Sequence, residues 1–123
     1  MAISQAMVTS FKKALLDGEM DFSSNTSQTF KIALFTSSAT LNATTTAFST
    51  TNEVSGTGYT SGGNTLALTG TNSSVPATSG TTAFLSFANT TWGTATITAR
   101  GALIYKSGGG DPAIAVLDFG ADK

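Results

Sequence analysis

The chain has 123 residues, of which 11% are charged, with a net charge of -1, 13 glycines, no cysteine and no histidine. Without histidine there is no imidazole base, no Ser-His-Asp triad and no histidine metal ligand; without cysteine there is no disulfide, thiol nucleophile or thiolate zinc site. Six Lys and Arg against seven Asp and Glu cannot form the dense basic face that nucleic acid demands.

Ser and Thr make up 38 of the residues and take over the solvating role of Lys and Glu. The hydrophobic share is 40%, enough for one domain of this length to bury a core without staples. Charge is unevenly placed: from Ile32 to Ala99 the only charged side chain is Glu53. Disordered chains carry more charge and fewer apolar residues, and threonine suits a pleated surface, so the composition points to a β-rich fold.

Residues 4–18 are the one convincing helix. Met7, Phe11, Ala14 and Leu15 form an apolar stripe, Ser4 is placed to cap the start, and Gly18 is placed to end it. The stripe is expected to pack on the domain's own sheet. A polar loop then leads to a strand over 30–36 whose two faces, Phe30/Ile32/Leu34 and Lys31/Ala33/Phe35, are both fairly apolar. Such a strand belongs in the middle of a sheet or is covered on both sides. Residues 37–51 read as an extended loop or a short irregular helix.

The glycine-rich run at 56–63 misses the dinucleotide spacing and has no following lysine, so it reads as a turn or bulge. Further strands are expected at 65–69, 82–87, 94–99, 102–105 and 114–119, with a polar connection over 70–80 and a glycine-rich hairpin loop at 107–112. The fold class expected is mainly β. It is a single domain over 1–123, an antiparallel β-sandwich or partly open barrel (30–119) with the N-terminal helix packed on it.

Candidate chemistry is sparse. Asp17, Glu19 and Asp21 cluster after the helix, and Asp111, Asp118 and Asp122 near the end, but neither set has the spacing of a calcium loop. They read as solvated loop charges. Asp118-Phe119-Gly120 spells the kinase magnesium triplet without the rest of a kinase. Asn25, Asn42, Asn72 and Asn89 stand in N-x-[ST] form, as chance provides in so Ser/Thr-rich a chain. Arg100 is expected either to pair with a carboxylate, Glu53 or Asp118, within or between subunits, or to sit on an exposed turn. Tyr59, Trp92 and Tyr105 are candidates for an aromatic contact surface, set against the reading of Trp92 as a core or rim anchor. No catalytic residue, cofactor or metal is expected, and the chain is read as not an enzyme.

Several segments carry a resemblance. Met1-Ala2-Ile3-Ser4-Gln5-Ala6-Met7, the run over 30–41 (Phe30-Lys31-Ile32-Ala33-Leu34-Phe35 onward), the run over 52–60, Ala99-Arg100-Gly101-Ala102-Leu103-Ile104-Tyr105 and Ala115-Val116-Leu117-Asp118-Phe119-Gly120 resemble small virion structural proteins of tailed bacteriophages. The matches recur along nearly the whole chain. The resemblance implies a structural role, with head decoration (cement) favoured and a tail, fibre or neck component as the alternative. No active site is known in such proteins, so no functional residue carries over.

The implied partners are copies of the chain itself and the major capsid protein or another virion protein, with no nucleic acid and no membrane. A homo-oligomer or array fits a surface of short uncharged side chains, which lose little entropy at an interface. Residues 1–5 lack the basic and apolar regions of a secretory signal. Either the chain is assembled in a cytoplasm and released by lysis, as virus particles are, or it is a mature chain whose signal was removed; the location expected is a virion assembled in the host cytoplasm and released by lysis. A carbohydrate-binding adhesin module is the reading from another class.

Overall fold

The computed structural model describes residues 2–23, 26–68 and 74–123. It contains β1 (Ala6–Met7), α1 (Thr9–Leu16), β2 (Thr29–Phe35), β3 (Asn64–Leu66), β4 (Ser74–Ser79), β5 (Thr82–Ser86), β6 (Gly101–Ser107) and β7 (Ala113–Asp118). Five strands form one antiparallel sheet in the order β1-β7-β6-β2-β3, and β4 and β5 form a second, two-stranded sheet. Among the described residues the architecture is mainly β, consistent with a sandwich carrying one N-terminal helix, and no barrel closes.

β2 sits inside the sheet because its sequence has no polar face to offer solvent. Phe30, Ile32, Ala33, Leu34 and Phe35 are all buried, and β2 pairs with β6 along its whole length, from Thr29↔Ser107 to Phe35↔Gly101. The two sides are covered differently. Phe22 stacks on Phe30 at 4.5 Å, and Phe11 of α1 meets the edge of Phe22 at 6.0 Å. On the other side Phe35 packs against Phe48 of the 37–51 loop, and Phe48 stacks on Tyr105 at 4.5 Å. Aromatic pairs in such geometries add to the stabilisation from burial alone.

The helix is shorter than its periodicity predicts. Residues 2–4 are drawn into extended pairing instead: Ser4 N–H donates to Leu41 O, and Leu41 N–H to Ala2 O. Ala6 and Met7 then pair with Val116 and Ala115 of β7. Ser4 caps nothing at the helix start. The N-cap is Val8, with no side-chain cap; the N–H groups of Val8 and Thr9 donate to Ile114 O and Ala43 O. Partners elsewhere in the chain satisfy the start, so the local signal loses to tertiary pairing. The end follows the sequence. Gly18 adopts φ +73, its N–H donates to Leu15 O, and Glu19 N–H donates to Ala14 O, the paired bonds of a Schellman motif.

Two other expectations are corrected. Residues 94–99 are not a strand. Thr96 bridges to Thr57, Ala99 exchanges backbone hydrogen bonds with Lys123 alone, and Ala95 lies so close to Gly58 that a Cβ on that glycine would fall 2.6 Å from the Ala95 Cα. The neighbour is a glycine turn rather than a ladder, so pairing cannot extend. Conversely, the polar connection contains β4, hairpinned to β5 through Gly80 at φ +60. Its register shifts between Ser74 and Ala77, around Pro76, which has no N–H to give. Thr69 and residues 70–73 lie outside the described residues. The expected hairpin between the last strands is present: Asp111 at φ 51 accepts the Gly108 N–H at 2.7 Å and closes the loop. No helix among the described residues is long and apolar enough to cross a membrane.

Candidate functional site

Two places concentrate the side chains that could act. The first is built around Glu53. Its backbone is held beside β2 by a bridge to Phe35 and by the Val54 N–H, which donates to Leu34 O. The carboxylate faces the glycine-rich run. Oε1 accepts the Tyr59 hydroxyl at 2.8 Å and the Gly62 N–H at 2.6 Å, and Oε2 accepts the Ser61 hydroxyl at 2.8 Å.

The network continues inward. The Tyr59 hydroxyl accepts the Leu34 N–H at 2.9 Å, and the Tyr105 hydroxyl donates to Gly62 O at 2.7 Å. Gly63, at φ +76, lies against Ile32, where any Cβ would overlap the Ile32 carbonyl. The run at 56–63 is thus a fitted latch: its glycines allow close approach, and its donors converge on one carboxylate. Burial pushes the Tyr59 phenol well above its ordinary pKa, opposed by the Leu34 N–H and reinforced by Glu53. Burial also pushes Tyr105 up, to about 12. Both phenols remain protonated at neutral pH and serve as donors.

Glu53 does not pair with Arg100. Its oxygens are taken by the latch, and Arg100 Nε instead meets Asp118 Oδ1 at 3.2 Å across the β6–β7 pairing. Of the two carboxylates expected for Arg100, the fold selects the one in the neighbouring strand. The Gly120 N–H lowers the Asp118 carboxyl below its ordinary value; burial opposes it, and Arg100 adds smaller lowering contributions.

The three aromatics do not form one surface. Tyr59 stacks on Trp92, with centroids 6.0 Å apart and planes 30° from parallel. Tyr105 is only 3% exposed and belongs to the core beside Phe48. Its place in a buried strand of the sheet decides this, since its ring is enclosed and only its hydroxyl reaches the latch. The Trp92 indole N–H is buried and has no partner among the described residues.

Most of the acids in the two sets are spent locally. Asp17 pairs with Lys13 at 2.6 Å, Asp21 accepts the Ser23 N–H, and Asp111 closes its hairpin. Among the described residues no group of three acids is gathered as a metal site would need. Asn25 and Asn72 lie outside the described residues; Asn42 caps its own turn by accepting the Thr44 N–H.

The second place was not anticipated as a site. A groove of about 580 Å³ runs between α1, the β6–β7 face and the β4–β5 hairpin, lined by Met7, Leu15, Phe22, Phe84, Ile104 and Ile114 among others. On its rim Met7 is 51%, Leu15 44% and Phe84 43% exposed, and Leu16 beside it is 90% exposed. Met7 and Leu15 belong to the apolar stripe expected of the helix, although Met7 falls in β1, and β5 of the opposite wall matches the strand expected at 82–87; only β4 carries little sequence signal. The side chains that line the groove are apolar, the kind of exposed surface that marks contact sites.

No family model, curated protein or solved structure matches this chain. Similarity therefore adds no activity or partner to what the fold and its two sites define: a mainly β module with a latched polar loop and an open apolar groove.

Proposed function

We propose that this chain is a structural component of a tailed-phage virion, of the capsid-decoration (cement) kind, which stabilises the head shell by binding over joints between its subunits. The observation that carries the reading is the exposed apolar groove beside a nearly uncharged β body. The resemblance of five segments to virion structural proteins supports it independently. The mechanism is mechanical: burying apolar and short-chain surface against the shell and against other copies raises the cost of opening the joint. The two-stranded β4–β5 sheet also fits such a role, since an isolated hairpin gains stability from whatever covers it.

Localisation in purified virions by electron microscopy, with copy number by quantitative mass spectrometry, tests the proposal. Hundreds of copies on the head surface are expected. A few to dozens at the tail or neck would replace decoration with a tail or fibre role. Absence from the particle would sink both.

A second reading, a carbohydrate-binding adhesin module, draws on the Tyr59–Trp92 stack. Glycan-array binding that is lost in Trp92→Ala would favour it over the virion role.

A further inference from the structure

The exposed face of α1 has an arrangement that fits itself. Lys12, Leu15 and Leu16 stand at i, i+3 and i+4, so they share one side of the helix. Glu19 follows just beyond the Schellman turn, and all four residues are exposed. The order along this face is cation, two leucines, anion. Lys13 and Asp17 repeat the same polarity but are already paired with each other at 2.6 Å, and Glu19 acts on Lys13 from beyond the turn, so Lys12 and Glu19 are the charges of this segment not held in an ion pair.

We infer that this face, together with the apolar groove beside it, is a twofold contact between two copies of the chain. It rests on the reading of the protein as a self-assembling structural component, and it names the surface. Two α1 helices crossing antiparallel about a point between Leu15 and Leu16 set Leu15 of each copy against Leu16 of the other. The same crossing sets Lys12 of each copy against Glu19 of the other. A parallel approach would instead bring Lys12 against Lys12.

An isologous interface requires one patch to supply both the protrusions and the recesses. Here Leu16, Met7 and Phe84 protrude and the groove recedes. The eight-residue helix is about 12 Å long, so it cannot alone supply the roughly 800 Å² per partner of a standard interface. The contact must spread over the groove and reach Phe84 on the hairpin. A partner of another kind would have no reason to match the reversed order of charges, whereas a second copy matches it by symmetry.

Sedimentation equilibrium of the purified chain at low salt tests the inference. A dimer is expected, weakened at least tenfold by Leu16→Ser, with circular dichroism unchanged, and melting unchanged at concentrations where both chains are monomeric, because Leu16 is 90% exposed in its own chain. Lys12→Glu and Glu19→Lys should each weaken it several-fold, and the double exchange should recover most of the loss. A monomer at every concentration, a dimer indifferent to Leu16→Ser, or a double exchange that recovers nothing would overturn it. A monomer that needs Leu16 to bind empty capsid shells would assign the face to the shell protein and overturn the self-contact. Failure here is distinguishable from failure of the virion role: a chain that dimerises as described yet is missing from virions refutes only the latter, and a virion-bound monomer refutes only the former.

Discussion

The latch and the groove use opposite means. At the latch, one carboxylate collects three hydrogen bonds and ties residues 59–62 to the edge of β2. At the groove, apolar side chains are left facing solvent between a helix and a two-stranded sheet. The difference teaches where each kind of side chain is spent. The lone charge of the uncharged stretch is consumed inside the chain, where three partners repay its partial burial. The apolar surface at the groove stays open to solvent. A residue conspicuous in the sequence is thus a structural tie, and the surface suited to contact is made of ordinary leucines and phenylalanines.

The sharpest test lies beneath the groove. Phe30→Ala removes the ring that Phe22 stacks on and leaves a cavity in the sheet, so a loss of about 3–5 kcal/mol is expected in urea unfolding. A loss below 1 kcal/mol would mean that the groove floor is not packed as described.

At the latch, Glu53→Ala strands the Gly62 N–H and the two hydroxyls and should cost about 1–3 kcal/mol. Glu53→Gln keeps one acceptor oxygen and should lose less. If Glu53→Ala is neutral, the contrast between the two regions collapses.

The latch also predicts alkaline behaviour. A phenol whose folded pKa is raised adds stability that is fully present below its unfolded value, near 10, and is lost as pH rises through the folded value. For Tyr105 that window runs from near 10 to about 12. Unfolding midpoints should fall across it, and fall less in Tyr105→Phe. The acid side belongs to Asp118. Its folded value is lowered, so its contribution is present above about pH 3.9 and fades as pH falls through the folded value. Asp118→Asn should flatten the acid limb of a midpoint-against-pH series and leave the neutral part of its slope alone.

The smallest effect is expected at Trp92. Phenylalanine there keeps a ring against Tyr59 and removes an indole N–H without a partner, so the change should lie within about 0.5 kcal/mol of neutral. A large loss would show that the indole N–H is satisfied after all.

Much of the sheet was legible locally. The apolar runs of β2, β6 and β7 and the glycine loop joining the last two mark themselves, because a strand buried on both faces leaves no room for polar side chains. The end of α1 was legible in Gly18. Its beginning was not. Ser4 offers a local cap, but Leu41 and β7 offer the backbone of residues 2–7 sheet partners that lie far away in sequence. β4 was hidden because Pro76 and small polar residues carry no strand signal, and 94–99 looked like a strand because alternation cannot reveal whether a partner strand exists.

The candidate residues divide in the same way. From its isolation in an uncharged chain, Arg100 reads either as paired with a carboxylate, Glu53 or Asp118, or as standing on an exposed turn. Which partners Arg100 and Glu53 find depends on strand register: Gly101 lies opposite Asp118, which puts Arg100 beside that carboxylate, while the bridge to Phe35 turns Glu53 toward the glycine run. Composition and local periodicity limit what can be buried, and they are enough to specify a β-rich chain with one amphipathic helix and almost no charge through its middle. That Tyr105 is enclosed, that Tyr59 and Trp92 meet, and that α1 faces the β4–β5 hairpin across a groove follow from long-range packing. Those are contacts between residues distant in the chain, and no local pattern encodes them.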